Sequence, residues 1–194
     1  MLENVSIIIP LAPSERNHEA LLVDLEPSGA EIVISSEGSR AKSLNVGARK
    51  AKREILWFLH ADTRVTHDNL KDLNGSIERD QNSLRYFNLA YDGNGLVVAN
   101  AWGANWRSRT FGLPYGDQGF CLSRTLYAEI GPYPEDIPFG EDLIFLRRAK
   151  AMGVNLEALP SALTTSARKY RDEGWLKLTL YRQIQLFNLM RMKL

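Results

Sequence analysis

The sequence predicts an α/β fold: a mixed, mostly parallel sheet flanked by helices, with an amphipathic helix at the C-terminus. Three observations predict it. The short β-branched or apolar runs VSIIIP (5–10), EIVIS (31–35) and EILWFLH (54–60) end at turn or polar residues, the first two as expected of central strands covered on both faces. Stretches with small or apolar residues at three- and four-residue steps lie between and after these runs, which is the spacing of helices packed on a sheet. No linker, low-complexity tract or internal repeat divides the 194 residues, so one domain over 1–194 is expected, with 172–194 as a helical extension.

Taken in order, VSIIIP is the first strand and EIVIS the second. RAKSLNVGARKAK (40–52) follows as a helix, with Ala41, Leu44, Ala48 and Ala51 on its inner face. EILWFLH is the third strand and HDNLKDLNGSIERDQ (67–81) a second helix, which gives the order β-β-α-β-α. LRYFNLAY (84–91) reads as a strand, Asp92-Gly93-Asn94-Gly95 as a turn and VANAWGANWRSRTF (98–111) as a helix. QGFCLS (118–123) is a strand leading into the short helix RTLYAEIG (124–131). GEDLIFLRRAKAMG (140–153) is a helix ending at Gly153, and LEALPSALTTSA (156–167) is strand or extended chain. In the last stretch Leu176, Leu180, Ile184, Phe187 and Met190 form a helical stripe accompanied by Arg168, Lys169, Arg171, Lys177, Arg182, Arg191 and Lys193. Such a helix packs on its own domain or a second subunit, the favoured reading, or lies on an anionic membrane.

Composition narrows the function. Twenty-four basic against twenty-three acidic residues provide no global field for a polyanion, so nucleic acid is not an expected partner. The one cysteine, Cys121, excludes an internal disulfide and a multi-cysteine metal site; a core thiol in a reducing compartment is expected. The N-terminal apolar stretch is short and has no basic segment before it, and no run reaches a membrane-spanning length, so a cytoplasmic location is expected.

Three segments carry candidate chemistry. In FLHADT (58–63), Asp62 falls just past the end of a strand, where open α/β sheets bind ligands, and His60 lies two residues earlier on the same side. A carboxylate there can hold Mg²⁺ or Mn²⁺ and thereby the phosphates of a nucleotide; equally, it can cap the following helix or turn. In YGDQGF (115–120), Gly116 and Gly119 flank Asp117 and Gln118 in what is a ligand-contacting segment or a tight turn. In PFGEDL (138–143), Glu141 and Asp142 open a helix, where acidic residues complement the dipole and where a carboxylate can also serve as general base.

Together, SIIIP, SRAKSLNVGARKAKREILWFLHADT, LPYGDQGFCLSRTLYAEIGPYPEDIPFGEDLIFLRRAKAMG and TTSARKYRDEGW resemble the family 2 glycosyltransferases of GT-A fold. The branch they resemble most is the radical-SAM/selenodomain-associated one. The resemblance implies a GT-A-like sheet and transfer of a sugar from a nucleotide-diphosphate donor to a hydroxyl acceptor, with inversion and dependence on Mg²⁺ or Mn²⁺. It implies that Asp62 is the metal ligand, with His60 in place of the first aspartate of the family's aspartate-any-aspartate motif. Asp142 matches the catalytic base, with Glu141 beside it. Pro10, Glu37, Arg40 and Asn45 fall on the donor side, and Asp117 and Gln118 on the sugar or acceptor pocket. The sequence departs from the family in PLAPSER (10–16) and ISSEGSR (34–40), where Glu15 or Glu37 would substitute in reading the base. Those departures keep open a non-catalytic GT-A-like binding domain. A nucleotidyltransferase is the weaker alternative, because no glycine-rich, lysine-containing phosphate loop follows the first strand.

Overall fold

The protein is described by a computed structural model over residues 1–12, 18–137 and 139–191. Among these residues six strands form one sheet in the order β2-β1-β3-β5-β4-β6. They are β1 (Val5–Pro10), β2 (Glu31–Ser35), β3 (Ile55–Phe58), β4 (Leu84–Tyr91), β5 (Cys121–Ser123) and β6 (Leu156–Thr165). β1 runs parallel to β2 and β3, β4 runs parallel to β6, and β5 runs against β3 and β4.

The two-residue period of the strands splits the core into two layers. Ile8, Leu56 and Phe58 face one side, where they meet Leu44 and Ala48 of α2 (Arg40–Lys50), Leu126 of α5 (Arg124–Ile130) and Leu143 and Leu146 of α6 (Glu141–Ala151). Ile7, Ile9, Ile55 and Trp57 face the other, against Leu21 and Leu25 of α1 (Glu19–Leu25) and Leu70, Leu73 and Ile77 of α3 (His67–Arg79). Cys121 lies in the core as expected, and burial pushes its thiol up to about 12. A third, smaller cluster joins Val97 of α4 (Leu96–Phe111), Ala167, Tyr170 of α7 (Arg168–Glu173) and Leu178 of α8 (Trp175–Arg191).

The structure corrects the sequence reading in four places. The order begins β-α-β, because α1 and a 3₁₀ turn (Glu26–Ser28) lie between β1 and β2. Parallel neighbours require such a crossover. α1 is only seven residues long and its His18 cap makes no side-chain bond, so it lacks the usual start signal. β2 is an edge strand with Ile32 and Ile34 exposed, and not a central one; a short β-branched run reads the same in both positions. The short helix α7 was not expected. Finally, Leu176, Leu180 and Ile184 face solvent, whereas α8 packs through Leu178 and Leu189. Apolar residues occur on both sides of α8, and contact with the domain selects the buried set. The Leu189 side chain sits on Gly140 and leaves no room there for a Cβ. The side chains of Phe187 and Met190 lie outside the described ones.

Candidate active site

The carboxyl ends of β1, β3, β4 and β6 lie along one edge of the sheet, and β5, running the other way, begins there. Pro10, His60, Asp62, Tyr91, Thr165, Tyr115 and Asp117 therefore surround one cleft of about 350 Å³, completed by the starts of α2 (Ser39, Arg40) and α6 (Gly140, Asp142). Arg168 and Lys169 of α7 contribute cations to its wall, while Phe139, Leu143, Leu186 and Leu189 contribute apolar surface. Ligands bind at this edge in open α/β sheets.

His60 to Thr63 form a turn closed by the Thr63 N–H donating to the His60 carbonyl at 3.1 Å. Asp62 does not cap α3: that cap is Thr66, whose hydroxyl accepts from the Asn69 N–H while Asn69 Oδ1 accepts from the Thr66 N–H. The chain just after Asp62 is anchored twice. The Arg64 N–H donates to Thr164 O at 2.7 Å, and the Arg64 guanidinium donates to both oxygens of Asp24 at 2.6 and 2.8 Å. Those guanidinium bonds, helped by the Val65 N–H and opposed by partial burial, hold the Asp24 carboxyl below its ordinary range.

Arg40 is the electrostatic centre of the cleft. Its Nε donates to Glu141 Oε1, and its Nη1 lies 3.4 Å from His60 Nε2. Loss of hydration disfavours its charge, yet the carboxylates of Asp142, Glu141 and Asp117 raise its pKa overall. The pair at the start of α6 is thereby divided. Glu141 turns to Arg40 with a side chain only 6% exposed, and Asp142 lines the cleft. Asp142 Oδ2 accepts the Gly116 N–H at 2.6 Å, and Oδ1 accepts the Leu143 N–H at 2.9 Å. Only glycine fits at 116 without displacement: a Cβ there would lie 3.0 Å from Asp142 Oδ2 and 3.3 Å from His60 Nε2.

The remaining candidates divide into those the fold brings to the cleft and those it employs elsewhere. Pro10 and Asp117 reach it. Gln118 is fully buried next to it and positions the 3₁₀ turn Gly116–Gln118: it donates to Phe87 O at 2.8 Å and accepts from Ser108 Oγ at 2.7 Å and the Tyr115 N–H at 3.2 Å. Asn45 is consumed on the far side of α2. It donates to Tyr133 O and Glu135 and accepts from the Tyr127 hydroxyl and the Tyr133 N–H, all within 2.9 Å. Glu37 lies outside the cleft lining, 3.6 Å from Lys50 Nζ. Glu15 falls outside the described residues. Arg168 and Lys169, which in the sequence belong to the basic tail, thus line the cleft. Their position directly after the carboxyl end of β6, the rule that singled out Asp62, was the available signal.

Among the described residues, no three His, Cys, Asp or Glu side chains gather as a metal cage. A single carboxylate such as that of Asp62 is by itself a weak site for a hard cation, which takes six or more oxygen ligands.

No protein-family profile matches the sequence, and no curated protein matches it. Solved structures do. S. aureus TarS is similar with a TM-score of 0.61 and 15% identity over 85% of this chain and 37% of that one. S. aureus TarS 1-349 is similar with a TM-score of 0.61 and 14% identity over 84% and 60%. The chain spans less than two thirds of the length of either. TarS is a glycosyltransferase, and at this identity the likeness is one of fold: the GT-A-like, mostly parallel sheet flanked by helices.

Proposed function

We propose that this chain transfers a sugar from a nucleotide-diphosphate donor to a hydroxyl acceptor with inversion, as a glycosyltransferase similar to family 2 and to its radical-SAM/selenodomain-associated branch. The observation that carries the reading is the shared cleft. Asp142, held by the Gly116 N–H, lines the same cavity as Asp62 and the cations Arg168 and Lys169. A diphosphate fits against Asp62 through a divalent ion and against the two cations directly, and an acceptor hydroxyl fits against Asp142.

In the proposed reaction, the acceptor oxygen loses its proton to the Asp142 carboxylate and forms a bond to the anomeric carbon. The bond from that carbon to the diphosphate breaks on the opposite side, and the departing oxygen keeps the electron pair. Arg168 and Lys169 stabilise the charge growing there. Bound Mg²⁺ or Mn²⁺ on Asp62 would supply further neutralisation of that charge. Arg40 and Glu141 position the start of α6, and Asp117 and Gln118 shape the sugar side. A cytoplasmic setting accords with the single buried cysteine.

A second reading, a GT-A-like binding domain without turnover, is favoured by the placement of Asn45 and Glu37 away from the cleft. Purified protein incubated with a panel of nucleotide sugars and Mn²⁺ separates the two. Donor hydrolysis or transfer is the expected result, whereas nucleotide binding without any turnover across the panel would establish the second reading.

A further inference from the structure

We infer that α4 and α8 form a face that docks on an anionic lipid surface. Among the described residues fifteen large hydrophobic side chains are exposed, and nine of them lie on these two helices. On α4, Val98, Trp102 and Trp106 recur at four-residue steps along the outer side, with Trp102 71% exposed. On α8, Leu176, Leu180 and Ile184 do the same, with Leu176 71% exposed. Four-residue steps follow one side of a helix, so each set is a stripe and not a scatter. The two helices are neighbours, joined by the Asn100 amide donating to Thr179 Oγ1 at 3.0 Å. Apolar stripes of this extent on a folded domain mark an interaction surface.

Charge identifies the occupant. α4 and α8 contain five basic residues and not one acidic residue, in a chain with 24 basic and 23 acidic residues overall. Of the five, Arg109, Lys177 and Arg191 are exposed, whereas Arg107 turns inward to Leu113 O and the Tyr115 ring. A symmetric dimer through this face would bring the same cations against themselves. A surface of anionic headgroups over hydrocarbon satisfies both features: the cations meet phosphate, and Trp, Leu and Ile enter the interface, where tryptophan is favoured. No described helix is long and apolar enough to cross a membrane, so the contact is one of lying on the surface.

The test needs no turnover and so stands apart from the proposed reaction. The chain is sedimented with phosphatidylcholine vesicles with and without phosphatidylglycerol, at low and high salt, alongside Trp102→Ser/Ile184→Ser and Lys177→Glu variants. Expected are binding at least about tenfold stronger to the anionic vesicles, weakened by salt, and a loss of about tenfold in each variant at unchanged melting temperature. Tryptophan emission should shift to the blue on binding. Absence of a preference for anionic vesicles, or equal binding by the variants, would overturn the inference. So would a dimer in sedimentation equilibrium that Trp102→Ser/Ile184→Ser abolishes, which would make this face a protein interface.

Discussion

The guanidinium of Arg40 binds the carboxylate of Glu141, the immediate neighbour of Asp142, across two elements 101 residues apart in sequence. That bond joins the start of α2 to the start of α6 and leaves Asp142 as the member of the acidic pair that lines the cleft. Arg40→Ala removes the partner of a nearly buried carboxylate. Because Arg40 itself is partly hydrated, the cost should be about 2 kcal/mol, below that of a fully buried pair. Thermal melts should show a fall of about 4 to 8 °C, and adding Glu141→Gln to Arg40→Ala should recover part of it.

Gly116 makes the second prediction. Its φ lies outside the positive region, so alanine fits the backbone, but the new methyl would press on Asp142 Oδ2 and His60 Nε2. Gly116→Ala should lower turnover by about 10- to 100-fold through misplacement of these groups, with a melting temperature lowered by less than about 4 °C. Steady-state kinetics alongside a melt checks both parts.

Much of this arrangement was legible from sequence because strand ends and helix starts have local signatures. FLHADT and the acidic pair at 141 and 142 could each be read as lying at such an end. What was not legible depended on which surface met which. Asn45 and Arg40 sit five residues apart on α2, yet one bonds Tyr133 behind the helix and the other faces the cleft. Likewise α8 has two apolar sides, and the packing of Leu178 against Val97, Ala167 and Tyr170 and of Leu189 on Gly140 determines which is buried. The crossover helix α1 escaped because its seven residues lack a side-chain cap, although the parallel pairing of β1 with β2 requires it.

The Asp24 carboxylate, which anchors the chain beyond Asp62, gives a pH prediction. Its folded pKa is depressed, chiefly by the Arg64 hydrogen bonds, so its contribution is fully present above the unfolded value of about 3.9 and is lost as pH falls through the folded one. Asp24→Asn should destabilise by about 1 to 2 kcal/mol at neutral pH. Urea unfolding of both proteins should show that difference shrinking below about pH 4.

Asp62 supplies a metal-linked prediction. Nucleoside diphosphate should bind more tightly with Mn²⁺ than without it, and Asp62→Asn should remove that enhancement while leaving the metal-free affinity and the melting temperature close to those of the unchanged protein. Calorimetric titration of nucleotide with and without Mn²⁺ measures it directly.

The central claim, that Asp142 accepts the acceptor proton, is tested most directly by steady-state turnover of Asp142→Asn beside Glu141→Gln with a working donor and acceptor. The asparagine keeps the shape of the side chain and removes its proton-accepting power. The account predicts a fall in kcat of roughly 10² to 10⁴ for Asp142→Asn with donor affinity almost unchanged, and a much smaller loss for Glu141→Gln. Near-normal turnover in Asp142→Asn, with or without a collapse in Glu141→Gln, would contradict it.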